Sequence, residues 1–256
     1  MTATVYLIGL GPGSWQNMTP RSISTLSNVS VIIGHKTSLD LIACLESSDG
    51  RANFINGKEI IVQDLSPLQR ADIAIAKVLA GKNVAIVTAG DPGIYAIAST
   101  FFNYLKKKQI KIPVEVVPGV PAANVAAALL GAPLGRDFAT LSLSDRATPW
   151  EGIKRRLKAA ASADFVVVLY NPKSQSGNYR LNKAVDILKN YNKAGTPVGV
   201  VTNATGHGEN IQITTLGEVL NYPIEEQTIL IFGNSETYVF DGRMVTPRQY
   251  RKGVGY

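Results

Sequence analysis

The chain of 256 residues is 45% hydrophobic and 18% charged, a composition typical of globular proteins and incompatible with wholesale disorder. One cysteine, Cys44, and two histidines, His35 and His207, exclude an internal disulfide and leave too few ligands for a convincing zinc site, so we predict no bound metal. The formal net charge of +7 allows three kinds of partner: nucleic acid, a membrane surface or an acidic small molecule.

The first half of the chain alternates strands with helices. Five short segments rich in Val and Ile are predicted to be strands, namely residues 4–10, 29–33, 59–62, 84–88 and 114–117. Most are apolar on both faces, as expected for strands covered by helices on both sides. Residues 68–80 carry an apolar stripe at helical spacing, and Gly81 follows as a stop signal.

A second alternation follows Pro118 and Gly119. Its predicted strands are residues 140–143, 165–170, 198–202, 211–215 and 229–232. Thr148 and Pro149 predict a helix start, with threonine as the cap and proline in the first turn. The predicted fold class is α/β, with two αβα domains of mainly parallel sheets that comprise residues 1–117 and 118–256.

The first loop of interest, GLGPG at Gly9–Gly13, directly follows the first strand. Glycines there allow a positive φ and a close approach of the backbone to a ligand, although a simple tight turn is an equal alternative. A dinucleotide-binding site fits poorly because the spacing is not G-x-G-x-x-G and Pro12 lacks an amide donor. The next helix start is Thr19-Pro20, so no helix begins at the loop itself.

The second loop, TAGDPGIY at residues 88–95, follows the fourth strand. Ligands of open α/β sheets bind beyond the carboxyl ends of the strands, which is where this loop lies. Asp91 has an ordinary alternative role, because an aspartate before proline often closes an Asx turn or caps a helix. If the loop binds a ligand, its backbone carbonyls suit the positive charge of a sulfonium group.

The basic residues are spread along the chain, with runs at residues 106–108, 154–156 and 248–252. The first two runs are best interpreted as solvated faces or ends of helices. No ladder of aromatic residues accompanies them for base stacking, and no apolar run approaches the roughly 18 residues that span a bilayer. We therefore expect an anionic small-molecule substrate, neither nucleic acid nor membrane as partner, and a cytoplasmic location.

A third loop, VPGVPAAN at residues 117–124, could by itself be a linker turn before a closely packed helix. In the order GLGPG, GDPGIY and VPGVPAA, however, the three loops resemble the tetrapyrrole methylase family, the class III methyltransferases. The later segments NATGHGENIQITTL and NSETYVFDGRMVTPR resemble its precorrin-3B C17-methyltransferase and cobalt-factor III branch. The resemblance extends from Val5 to about Tyr250.

The resemblance implies S-adenosylmethionine as methyl donor, bound in a cleft between two α/β domains, S-adenosylhomocysteine as product, and usually a homodimer. Pro121 departs from many relatives, which have serine or threonine there, and so loses a hydroxyl and an amide donor. The residues that match donor-binding motifs are Gly11, Pro12, Ala89, Gly90, Asp91, Ile94, Pro121, Ala122, Tyr170, Asn171, Ala204, Thr214 and Thr215.

The implied reaction methylates C17 of a precorrin-3B or cobalt-precorrin-3 type tetrapyrrole with ring contraction, in cobalamin biosynthesis. The candidates for acid–base work are His35, Lys36, Ser144 and Asp145. The candidates for binding the substrate's carboxylates are Lys36, Arg136 and Lys173. Taken alone, each histidine is more often a surface group than a functional one, and Arg136 could form a salt bridge at a helix end.

Three alternative functions stay open at this point. The first is another precorrin or uroporphyrinogen C-methyltransferase of the same fold. The second is an NADP-dependent oxidoreductase with Lys36 on the 2′-phosphate, and the third is a protein that binds nucleic acid through its basic charge.

Overall fold

A computed structural model describes residues 2–49, 56–62, 65–144, 148–173 and 177–248. The chain divides into two compact units, Met1–Ala122 and Ala123–Tyr256. The division lies a few residues after the expected boundary at residue 117, at the start of the helix that follows the fifth strand.

The first unit alternates strands and helices as the pattern predicts. Its elements are β1 (Val5–Gly9), α1 (Pro20–Ser27), β2 (Val31–Gly34), α2 (Lys36–Asp49), β3 (Glu59–Val62), α3 (Pro67–Leu79), β4 (Val84–Thr88), α4 (Ile97–Lys108) and β5 (Val114–Val117), with a short 3-10 turn at Trp15–Asn17. Thr19 caps α1 as expected, because its hydroxyl accepts a hydrogen bond from the Ser22 N–H at 3.1 Å.

The five strands form one parallel sheet in the order β3-β2-β4-β1-β5. Leu7, Ile33 and Ile86 pack with α3 and α4 on one face, and Ile8 and Ile32 pack with α1 and α2 on the other. Burial on both faces explains why these strands are continuous apolar runs rather than alternating ones. The predicted αβα arrangement with a parallel sheet is therefore confirmed for this unit.

The second unit begins in α5 (Ala122–Leu130), which spans the division. Its other elements are β6 (Gly131–Ala132), β7 (Phe138–Ser142), α6 (Trp150–Ser162), β8 (Val166–Tyr170), α7 (Tyr179–Lys189), β9 (Pro197–Thr202), β10 (Asn210–Thr215), β11 (Thr228–Phe232), β12 (Tyr238–Phe240) and β13 (Arg243–Val245), with a 3-10 turn at Val219–Asn221.

The main sheet of the second unit has the order β10-β9-β11-β8-β7. Only β7 and β8 pair in parallel, whereas β8–β11, β11–β9 and β9–β10 are antiparallel. This corrects the expectation of mainly parallel sheets. The physical reason is visible at β9 and β10, which are joined by the short loop 203–209, since a parallel pair needs a long crossover connection.

Helices cover both faces of this sheet. Leu157 and Leu188 of α6 and α7 pack on one face with Leu169 of β8. On the other face α5 approaches the backbone of β9 closely, because a Cβ at Gly199 would lie 2.2 Å from Cδ1 of Leu130. Strands β12, β13 and β6 form a small separate sheet.

The start of α6 differs from the sequence-based expectation. The helix begins at Trp150, and the Pro149 carbonyl accepts hydrogen bonds from the N–H groups of Gly152 and Ile153. Pro149 is therefore the N-cap, and Thr148 lies one residue outside the helix. In the described ranges, no helix is long and apolar enough to cross a bilayer, and no three His, Cys, Asp or Glu side chains are grouped so as to hold a metal ion.

Candidate functional site

Three loops meet through glycine backbones at the carboxyl edge of the first sheet. The strands β4, β1 and β5 are neighbours and run in parallel, so the loops that follow them leave the sheet side by side. A Cβ at Gly9 would lie 2.5 Å from the Gly90 oxygen and 2.6 Å from the Gly119 nitrogen, and one at Gly119 would lie 2.2 Å from the Gly90 oxygen. Only glycine permits this contact, which we call the glycine junction.

A pair of backbone hydrogen bonds fixes the loop after β1 to the loop after β4. The Gly11 N–H donates to the Gly90 oxygen at 3.2 Å, and the Gly90 N–H donates to the Gly11 oxygen at 3.0 Å. Both glycines have positive φ, 69° and 67°. The two loops are thus held as one unit, with Pro12 next to Gly11 and Ala89 exposed beside Gly90.

The carboxylate of Asp91 joins the loop after β4 to the loop after β5. Its Oδ1 accepts a hydrogen bond from the Gly93 N–H at 2.8 Å, which is an Asx turn, and its Oδ2 accepts one from the Gly119 N–H at 3.1 Å. It does not cap the next helix, because α4 begins at Ile97 after Ala96. Asp91 therefore determines the relative position of two candidate donor-binding loops.

Two hydroxyl groups of α1 support the junction from the side, which sequence reasoning missed. Ser22, fully buried, donates from Oγ to the Gly9 oxygen at 2.8 Å, and Oγ1 of Thr19 donates to the Pro118 oxygen at 3.3 Å. A serine on the buried side of an otherwise apolar helix stripe was the available signal.

The rim of this edge carries accessible side chains. Ile94 is 38% exposed, and the neighbouring Tyr95 is 52% exposed with a positive φ of 53°, a conformation that is strained for a bulky residue. Pro121 and Ala122, from the end of the third loop, are partly buried.

His35 and Lys36 follow β2, which neighbours β4 in the parallel sheet, so they lie at the same edge. The His35 carbonyl accepts from the N–H groups of Ser38 and Leu39, and its Nδ1 lies 3.0 Å from Thr37 Oγ1. Lys36 is exposed, with its Nζ 3.7 Å from Asp40 Oδ2. His35 thus directly precedes α2, and its side chain and that of Lys36 are exposed.

In the second unit, several candidates share the edge where β7, β8 and β9 end. Strands β8 and β9 run in the same direction, because both are antiparallel to β11 between them. The Tyr170 hydroxyl accepts a hydrogen bond from the Ala123 N–H at 3.0 Å. Asn171, with a positive φ of 51°, donates from Nδ2 to Ser142 Oγ at 2.9 Å. Ser144, Lys173 and Ala204 lie at this edge too, whereas Asp145 lies outside the described residues.

Thr214 and Thr215 lie at the opposite edge of that sheet. They pair with Val198 and Pro197, at the beginning of β9 rather than at its end. With Ile211 they help to line a concavity of about 450 Å³. The structure therefore does not bring these two threonines together with Tyr170, Asn171 and Ala204.

Arg136 is engaged by another side chain. Its guanidinium forms an ion pair with the Glu236 carboxylate, and both side chains are partly exposed. The salt-bridge alternative raised from the sequence is thus present in the structure.

Comparison with known proteins identifies relatives over almost the whole chain. The family model of tetrapyrrole (corrin/porphyrin) methylases matches residues 4–220. A probable cobalt-factor III C(17)-methyltransferase of Salmonella typhimurium is 39% identical over 95% of this chain and 98% of its own length. A precorrin-3B C(17)-methyltransferase of Sinorhizobium sp is 35% identical over 98% of each chain.

The fold has a close match among solved structures. The crystal structure of the methyltransferase CobJ is similar with a TM-score of 0.85 at 28% identity, covering 96% of this chain and 100% of that one. The chain spans only about half the length, 46% and 52%, of two further relatives that it matches.

Proposed function

The chain belongs to the tetrapyrrole (corrin/porphyrin) methylase family, and we propose that it transfers a methyl group from S-adenosylmethionine to C17 of a precorrin-3B or cobalt-precorrin-3 type tetrapyrrole. The reaction, coupled to ring contraction, belongs to cobalamin biosynthesis. The named activities of the Salmonella and Sinorhizobium relatives support this substrate, because this chain covers nearly their full length.

The glycine junction is the observation that carries the proposal. Its three glycines are buried, and the close approach of their backbones fixes the positions of three loops at the carboxyl edge of a parallel sheet, the edge at which open α/β sheets bind ligands. The loop after β1 does not lead directly into an α-helix, because α1 begins only at Pro20, and Pro12 has no N–H to offer. These features suit a nucleoside without a phosphate, and they disfavour the pyrophosphate of an NADP-dependent oxidoreductase.

S-adenosylmethionine supplies an electrophilic methyl group on a sulfonium. The chain's own contribution is to hold the donor and the ring carbon in line and to exclude water. Ala89 and Ile94, which are exposed, are the candidates for direct contact in the first unit, whereas Pro12 and Gly90 are buried and contribute to the shape of the loops. Asp91 acts instead by holding the loops, since its carboxylate oxygens already accept backbone N–H groups.

Tyr170, Asn171 and Ala204 remain the proposed donor-binding residues of the second unit, because they share one edge of its sheet. His35, Lys36 and Ser144 are candidates for acid–base work, and Lys173 for a substrate carboxylate. We also propose a cytoplasmic homodimer on the family resemblance alone, and sedimentation should give twice the mass of the chain.

The proposal is tested in two steps, first for binding of the methyl donor and then for methylation of the acceptor. Calorimetry with S-adenosylhomocysteine and, in parallel, with NADP should show binding of the first only. Incubation with methyl-labelled donor and either a metal-free or a cobalt-bearing precorrin-3 type substrate should then yield a labelled, ring-contracted product from one of them. Binding of NADP without binding of S-adenosylhomocysteine would overturn the proposal.

A further inference from the structure

A group of cations lies at the N-terminal end of α7, beside the edge that carries Ser144 and Tyr170. Lys173 precedes the helix, and Arg180 and Lys183 lie in its first two turns, three residues apart and therefore on one face. The first turn contains no acidic residue. Cations at a helix N-terminus oppose the helix dipole, and two like charges at this spacing repel each other. This arrangement of charges destabilises the start of the helix, and such local costs are common at residues that bind a ligand.

Arg180 is held in place by a neutral group. Its Nη1 donates to the Leu143 oxygen at 3.2 Å, in the loop after β7, and the side chain is partly buried. Leu143 is itself fixed, since it is 1% exposed and its N–H donates to the Tyr170 oxygen at 2.9 Å. The guanidinium therefore has a defined position, and no carboxylate among the residues that the structure describes pairs with its charge.

Lys183 is positioned by aromatic rings. Its Nζ lies 4.2 Å from the centroid of the Tyr179 ring and 5.9 Å from that of Trp150. Cation–π contacts of this kind orient the ammonium without neutralising it. Of the acidic side chains in the described ranges, none forms an ion pair with Lys183. Two oriented positive charges thus lie on one helix face.

We propose that Arg180, assisted by Lys183, binds a side-chain carboxylate of the tetrapyrrole substrate. This inference rests on the proposed function, because the tetrapyrrole supplies the carboxylate. The planar guanidinium offers donors in a fork that matches a carboxylate, and one of its nitrogens is already anchored on Leu143. If Arg180 served only to donate a hydrogen bond to the Leu143 carbonyl, its positive charge would not be needed, since a neutral amide side chain could donate there equally well.

The test compares Arg180→Gln with Arg156→Gln, a matched loss of one arginine from the exposed surface of α6. The binding probe is uroporphyrin III, a soluble polycarboxylated tetrapyrrole, titrated at several salt concentrations. We expect Kd to rise about tenfold in Arg180→Gln, with a weaker salt dependence, and to stay unchanged in Arg156→Gln. Arg180→Lys should fall between, because it keeps the charge and loses the fork.

Two further measurements separate binding from a structural role. In methyl transfer, Arg180→Gln should raise KM for the precorrin with little change in kcat, and it should leave Tm and the affinity for S-adenosylhomocysteine unchanged. Equal affinity of Arg180→Gln and the wild type for uroporphyrin, or a parallel loss of Tm and donor affinity, overturns the inference. If the wild type binds uroporphyrin through Arg180 but methylates no precorrin, only the proposed function fails; if it binds no tetrapyrrole, both fail.

Discussion

Oδ2 of Asp91 lies 3.1 Å from the backbone nitrogen of Gly119 and accepts its hydrogen bond, joining two loops that are 28 residues apart in sequence. The same carboxylate closes its own loop through the Gly93 N–H. One side chain therefore determines the internal shape of the loop after β4 and its distance from the loop after β5.

Replacing Asp91 by alanine should weaken donor binding through the loops. The variant loses two hydrogen bonds to a charged acceptor, each worth about 1.5–3 kcal/mol at full burial and less at this partly exposed position. We expect lower affinity for S-adenosylhomocysteine in calorimetry while circular dichroism shows an intact fold. Asp91→Asn is the graded control, because its amide can still accept from one N–H group but not from both. Unchanged donor affinity in both variants would refute the site assignment.

The glycine junction should not tolerate a methyl group. In Gly119→Ala the new Cβ would lie 2.2 Å from the Gly90 oxygen and 2.8 Å from the Gly9 Cα, so the loops must separate. We expect a destabilisation of roughly 1–3 kcal/mol in urea unfolding together with loss of S-adenosylhomocysteine binding. Gly195→Ala is the control, since it has no atom within 4 Å of its added Cβ and should be near neutral.

The loop positions could be predicted from the sequence because each motif directly follows a buried apolar run. Strands 59–62, 84–88 and 114–117 were predicted with the bounds that the structure shows. The partners of Asp91 were not predictable in full. The Asx turn involves residues close in sequence and could be expected. The hydrogen bond to Gly119 depends instead on how β4 and β5 are placed in the sheet, where β1 lies between them.

The direction of strands in the second unit could not be predicted from the same pattern. Strands β9 and β11 are buried along their whole lengths, as parallel strands usually are, yet they pair antiparallel. Burial on both faces identifies a strand and leaves its direction undetermined. The direction of β10, which carries Thr214 and Thr215, was not predictable either. Because β10 runs antiparallel to β9, its end lies beside the beginning of β9, at the opposite edge of the sheet.

Acid should weaken the ion pairs around Glu59 in the first unit. Hydrogen bonds from Lys77 and then Lys82 lower the pKa of Glu59 below its ordinary value of 4.5. A carboxyl group whose pKa is lower in the folded state than in the unfolded state stabilises the protein at pH values above its unfolded-state pKa. This contribution to stability is lost as the pH falls through the folded-state pKa. Glu59→Gln should therefore lower Tm near neutral pH, and the difference from wild type should shrink as the pH falls below about 4.5. Glu226→Gln, which removes an exposed carboxylate of the second unit, is measured in parallel as the control. A difference in Tm between Glu59→Gln and wild type that grew in acid would contradict the assignment.

Loss of the Tyr170 hydroxyl should loosen the first turn of α5. The N-terminal amides of a helix have no partner within the helix, and the Ala123 N–H donates to this hydroxyl at 3.0 Å. Tyr170→Phe keeps the ring and removes the acceptor, so we expect a destabilisation of about 0.5–1.5 kcal/mol in urea unfolding. Tyr179→Phe, at a ring that is 60% exposed, is the matched control. If Tyr170 also contacts the donor through its hydroxyl, affinity for S-adenosylhomocysteine should fall by more than the loss of stability explains. Unfolding curves of Tyr170→Phe that coincide with those of the wild type would show that the helix start does not depend on this bond.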